Sequence, residues 1–226
     1  MVEGLKPYVV KGICRMLTDS LSVVFVGHVD HGKSSLLGRL LADTSSLPEG
    51  KLESVRQNCE QNGKPFEYAF LIDALRDEQD QGITIDAARI FFESSSRKYL
   101  VLDAPGHIEF LKNMVTGASR AEVAILVIDA KEGIKENSRR HAVMLSMLGV
   151  QQVIVAVNKM DLVDYDQQRF ESIVKEFQQF LQELKIDANN YLPIAALAGQ
   201  NLVEAPPMMS WWQGPCLMQM EMGLKR

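Results

Sequence analysis

Apolar residues along the chain fall into short β-branched runs, separated by segments that repeat with a helical period. Residues 21–26 read LSVVFV, 99–102 YLVL, 123–128 VAILVI, 153–157 VIVAV and 191–194 YLPI. Such runs lack the in–out alternation of a half-exposed strand. They predict strands covered on both faces, as in a parallel sheet. Between them, residues 33–41 follow a glycine turn, and 137–148 carries Ala142, Leu145 and Leu148 at three-residue spacing. Residues 167–184 place Phe170, Ile173, Val174, Phe177, Phe180, Leu181 and Leu184 on one stripe. This alternation predicts a three-layer α/β fold with a mostly parallel sheet of about six strands flanked by helices. Residues 89–93 (RIFFE) and 98–102 are joined by Ser94, Ser95, Ser96 and Arg97, which predicts a hairpin and one antiparallel strand. Residues 44–81 are polar, with Pro48, Gly50, Gly63 and Pro65. They are long for a simple connection and are expected to be a mobile functional segment with some helix.

Composition narrows the class. With 226 residues, 46% hydrophobic and 23% charged, the chain can bury a core without disulfides and is neither a coiled-coil rod nor a disordered tail. The net charge of -5 leaves no basic footprint for nucleic acid in the total. Cys14, Cys59 and Cys216 are odd in number and far apart, so they read as free thiols in a reducing compartment. No apolar run approaches the ~20 residues that span a bilayer. Residues 1–17 lack the continuous apolar stretch of a signal peptide. These features predict a cytoplasmic protein that uses neither membrane nor DNA.

Three motifs carry chemistry. Gly27, His28, Val29, Asp30, His31, Gly32, Lys33 and Ser34 fit G-x-x-x-x-G-K-[ST] between a predicted strand and a predicted helix. Backbone N–H groups at a helix N-terminus capture phosphate oxygens, and glycines let the backbone approach closely. Lys33 would meet the β- and γ-phosphates, Ser34 would offer a hydroxyl to Mg²⁺, and Ser35 would lie in the same phosphate-binding turn. Asp103 and Gly106, in Asp-Ala-Pro-Gly, follow the next central strand. The carboxylate can hold Mg²⁺ through water, and the glycine N–H can approach the γ-phosphate. Asn158, Lys159 and Asp161, in N-K-x-D, follow the strand 153–157. Asp161 can accept hydrogen bonds from guanine N1–H and its 2-amino group, a donor pair that adenine lacks. Asn158 can bridge base and phosphate loop, and the Lys159 stem can cover the ring.

In this order, and with Gly82-Ile83-Thr84-Ile85, these motifs resemble the translation-factor class of P-loop GTPases from about residue 21 to 217. The His-Val-Asp-His phosphate loop, His107 directly after Gly106, and Phe110-Leu111-Lys112-Asn113-Met114 add to the likeness. The resemblance implies a G domain over 21–204, an extension over 1–20 and a linker over 205–226 leading toward a β-barrel domain. It also implies GTP/GDP and Mg²⁺ as ligands. Thr84 would reach Mg²⁺ and the γ-phosphate, with Ser34 and Asp103 completing the metal set. His107 would position the attacking water, gated by Val29 and Ile83. Ala195, Ala196 and Leu197 match the last guanine loop, usually Ser-Ala-Leu, with the Ala196 N–H reaching O6. Ala195 departs from that pattern and lacks the serine side-chain bond.

Two branches of the class fit. Arg139-Arg140-His141, Leu148-Gly149-Val150 and the run from Asn158 to Tyr165 resemble the GTPase subunit of bacterial sulfate adenylyltransferase, whose partner would be the ATP-sulfate transferase small subunit. This is the favoured branch. Asp30-His31 instead resembles elongation factors that deliver aminoacyl-tRNA, for which the partners would be tRNA and the ribosome. A GTP-binding assembly module with little hydrolysis stands as a third reading.

Overall fold

A computed structural model describes residues 20–80, 89–93, 98–103, 121–150, 152–186 and 188–222. Six strands form one sheet: β1 (Ser20–Gly27), β2 (Arg89–Glu93), β3 (Lys98–Asp103), β4 (Val123–Asp129), β5 (Gln152–Asn158) and β6 (Ala188–Pro193). Their spatial order is β2-β3-β1-β4-β5-β6. Every neighbouring pair is parallel except β2 with β3, the expected hairpin. Among the described helices are α1 (Lys33–Asp43), α2 (Lys51–Gln61), α3 (Ala69–Asp80), α4 (Glu136–Met147), α5 (Gln167–Glu183) and the short α6 (Leu217–Met222).

The run VAILVID of β4 is buried at every position because helices cover both faces. Along β1, side chains alternate between the two sides. Val23 and Phe25 join Leu36, Leu37, Leu40 and Leu41 of α1. Val24 and Val26 join Ala142 and Leu145 of α4 and Phe170, Ile173, Phe177 and Leu181 of α5. The apolar stripe read in residues 167–184 is therefore the face that α5 lays on the sheet. The three-layer α/β architecture is as the sequence predicts.

Two segments are more structured than their composition suggests. The polar stretch from residue 44 holds α2 and α3, which bury Val55, Cys59 and Leu71 in a small core of their own. Residues 205–222, read from sequence as linker, pack onto the domain. Met209 is fully buried, Trp211 and Trp212 lie 5.6 and 5.8 Å from the Phe170 ring, and Cys216 and Leu217 enter the α1-side core. Among the described residues, no helix is long and apolar enough to cross a membrane.

Candidate functional site

The chain leaves β1 toward β3 on one side and reaches β4 on the other, so the sheet order switches direction at β1. In open α/β sheets the crevice beyond the carboxyl ends of strands at such a point is the favoured binding place. The loop from Gly27 into α1 opens there. Gly32 has φ +87°, and a Cβ placed on it would lie 2.5 Å from the Asn158 amide nitrogen. Only glycine allows both the left-handed turn and that approach. The Lys33 ammonium donates to the Gly27 and His28 carbonyls at 2.9 and 2.7 Å, closing the loop over its own backbone. Ser34 and Ser35 follow, half-buried, in the first turn of α1. Val29 is half-buried and Asp30 exposed at φ +65°, on the outer rim of the loop.

His31 faces inward and is fully buried; its Nδ1–H donates to the Val127 carbonyl of β4 at 3.1 Å. Burial pushes its imidazole below the usual histidine value, against the opposing pull of that carbonyl. His28 stacks edge-on against it at 5.1 Å. Behind them, His141 of α4 is pushed down to about 4, by burial first and then by the Lys33 ammonium and His28. The loop thus rests on His31 and His141, whose charged forms burial disfavours.

Asn158, at the end of β5, joins two loops. Its Nδ2 donates to the His31 carbonyl at 2.9 Å, and its Oδ1 accepts from the Ala196 N–H at 3.0 Å. Ala195 and Ala196 are buried and Leu197 is exposed. The resemblance aims the Ala196 N–H at a purine O6; in the structure Asn158 holds it, so O6 would have to share that donor. Shared three-centre bonds of this kind are common.

Lys159 takes a left-handed conformation (φ +60°) and its ammonium meets Asp129 at 2.8 Å. Its stem passes Gly32, so the side chain lies across the mouth of the loop. Asp129 is nearly buried. Burial works to raise its carboxyl but is outweighed by Lys159 and by the N–H groups of Glu132 and Lys131, and it ends below its ordinary value. Asp161 is half-buried in the 3₁₀ turn Met160–Val163, which the Met160 N–H pins to the Ile194 carbonyl at 3.1 Å. Its carboxylate adds to the burial that raises the Tyr165 phenol. The residues of N-K-x-D and of the 195–197 loop are therefore brought to one end of the crevice.

The family follows from the whole span of these loops. The model of the elongation factor Tu GTP-binding domain matches residues 18–219. The chain belongs to that family. Elongation factor 1-alpha of Thermococcus kodakarensis is 42% identical over 199 residues, which cover 88% of this chain and 46% of that protein. The chain spans about half the length of the curated relatives it matches. Among solved structures, Sup35 complexed with GDP aligns at TM-score 0.62 and 27% identity over 90% of this chain and 44% of that one. The Ski7 GTPase-like domain of S. cerevisiae, bound to GDP and inorganic phosphate, aligns at TM-score 0.75 and 22% identity over 96% of this chain and 51% of that one, a likeness of fold.

Of the motif residues, those of the Gly27–Ser34 loop, of N-K-x-D and of the 195–197 loop are described. Thr84, Gly106 and His107, together with Ile83, lie outside the described residues. Asp103 closes β3 with its backbone in register with Phe25 of β1, one strand over from the phosphate loop. The donors assigned to Mg²⁺, two hydroxyls and a carboxylate, are hard oxygens of the kind that ion takes, and Ser34 sits at the loop mouth. Sequence reasoning missed Asp129 and His141. Asp129 had a signal: it is a carboxylate at the carboxyl end of a wholly apolar strand, where ligand-site residues concentrate.

Proposed function

We propose that this chain is the GTPase domain of a cytoplasmic translation elongation factor, hydrolysing GTP to GDP and phosphate with Mg²⁺ and working with aminoacyl-tRNA and the ribosome. The observation that carries the nucleotide reading is Asn158. One side chain hydrogen-bonds both the phosphate loop and the 195–197 loop, which supports a reading in which one residue sets both ends of a guanine nucleotide. The relatives named elongation factor 1-alpha favour tRNA delivery over the sulfate adenylyltransferase branch, although Arg139, Arg140 and His141 drew the sequence toward the latter.

In this reading the amides of residues 27–34 and Lys33 hold the β- and γ-phosphates, and Asp161 reads the base. Ser34, Asp103 and Thr84 would hold Mg²⁺, which would neutralise phosphate charge when bound. His107 orients a water in line with the γ-phosphorus. A water O–P bond forms as the bond from that phosphorus to the bridging oxygen breaks. GDP leaves with the electron pair, and the water's proton goes to the released phosphate.

Single-turnover hydrolysis tests the role of His107. Wild type should cleave GTP slowly alone and faster with ribosomes carrying cognate aminoacyl-tRNA, and His107→Ala should lose roughly 100-fold or more of the accelerated rate. Equal accelerated rates in the two proteins would remove His107 from the mechanism. Acceleration by an ATP-sulfate transferase subunit in place of ribosomes would restore the sulfate branch.

A further inference from the structure

Residues 194–198 read Ile-Ala-Ala-Leu-Ala and contain no side chain able to donate or accept a hydrogen bond. Besides the burial of Ile194, Ala195 and Ala196, the loop at the purine end is held by hydrogen bonds of its backbone, to itself and to groups reaching in from elsewhere. Its backbone closes on itself through the Ala195–Gln200 pair, at 3.3 and 3.1 Å. From β5, Asn158 takes the Ala196 N–H. From the opposite side comes Arg39 of α1, whose Nη1 donates to the Leu197 carbonyl at 2.9 Å across 158 residues of chain.

Arg39 is fixed on three sides. Its Nε donates to both oxygens of Asp43 at 2.9 and 2.8 Å. Its guanidinium lies 4.9 Å from the centre of the Tyr68 ring. Its third face lies against Gly199, where any Cβ would collide with the guanidinium. A planar fork held by a carboxylate and an aromatic face loses little further freedom when it grips a carbonyl, which a lysine ammonium could not reproduce. The same helix begins at Lys33, six residues and about 9 Å of rise away. One rigid element thus reaches both the phosphate loop and the purine loop.

We propose that Arg39 is a positioning residue for base recognition: by holding the Leu197 carbonyl it orients the 196–198 peptides toward the purine O6, so that selectivity at O6 depends on a side chain that touches no nucleotide. This rests on the guanine reading above. It separates the two edges of the base, because O6 is read by the 195–197 loop and the 2-amino group by Asp161 on another element.

Equilibrium competition binding against a fluorescent GDP tests it, using GDP, ADP, IDP (which lacks the 2-amino group) and 6-thio-GDP (whose sulfur is a poor acceptor). Wild type should prefer GDP to each of the others. In Arg39→Ala the GDP to 6-thio-GDP preference should shrink at least threefold, while the GDP to IDP preference stays within twofold. Asp43→Ala, a change at a partly exposed site that removes the carboxylate orienting Arg39, should move the same ratio in the same direction by less. Unchanged ratios in both variants would overturn the proposal. An equal fall in the 6-thio-GDP and IDP preferences would overturn it too, since general loosening of the domain would produce that. Wild type binding ADP as tightly as GDP would defeat the guanine reading itself, and this proposal with it.

Discussion

His141 contributes through its neutrality. It is buried on α4 beneath the phosphate loop and titrates near 4, whereas an unfolded histidine titrates near 6.5. Between those values the unfolded chain binds the proton that the folded chain refuses. Stability from this residue is complete above pH 6.5 and is lost as pH falls through the folded value, by about 3 kcal/mol in total. His31, also pushed down by burial, acts in the same direction. Urea unfolding at pH 7 and pH 4.5 should show a clear loss in wild type and a smaller one in His141→Gln; equal losses would place the pH sensitivity elsewhere. None of this was legible in the sequence. His141 is over a hundred residues from the loop, and only the packing of α4 beside β1 brings it underneath. Gly32 and Lys33 are the opposite case: they form the turn from β1 into α1 where the sequence expects one, because turn geometry between a strand and a helix is local.

At the scale of elements, the site is a set of loops tied from behind. β1, β4 and β5 were legible as apolar runs because both their faces are covered. Of the ties between them, the reach of Asn158 to the phosphate loop was expected from its motif; the others were not, since each joins residues distant in sequence. Lys159 was expected to cover the base with its stem; its ammonium at the stem's end is engaged by Asp129 of the neighbouring strand. The Ala196 N–H, expected at O6, already has a partner in Asn158. That places much of the connection between phosphate loop and purine loop in one amide. Asn158→Ala would strand the buried His31 carbonyl and the Ala196 N–H together. The expected loss is about 2–4 kcal/mol of folding free energy, with a matching fall in nucleotide affinity. Denaturant titration with and without GDP measures both; a stable variant that retains GDP affinity would show that the loops hold each other without this bridge.

For the molecule as a whole, the two faces of the sheet have separate cores, and residues 205–222 contribute to both. The resemblance implied a linker over that stretch. The packing reason is that its apolar residues join the two cores: Met209 the one that holds α5, and Cys216 and Leu217 the one that holds α1. The Leu217 and Met218 N–H groups pin it to the Asn201 and Leu202 carbonyls at 3.1 and 3.0 Å. Leu217 is fully buried, so Leu217→Ala should cost about 2–4 kcal/mol, read as a lower denaturation midpoint at unchanged slope. A change within a few tenths of a kcal/mol would mean that this segment detaches in solution.

The central claim is that this crevice selects a guanine nucleotide through Asp161 while the phosphate loop holds the other end. Competition binding of GDP and XDP to wild type and Asp161→Asn tests it most directly. Wild type should strongly prefer GDP. In the variant an amide N–H faces the 2-oxygen of xanthine, so the preference should reverse in favour of XDP, with total affinity for the better ligand kept within about tenfold because the phosphate contacts remain. An unchanged preference for GDP in Asp161→Asn would contradict the account.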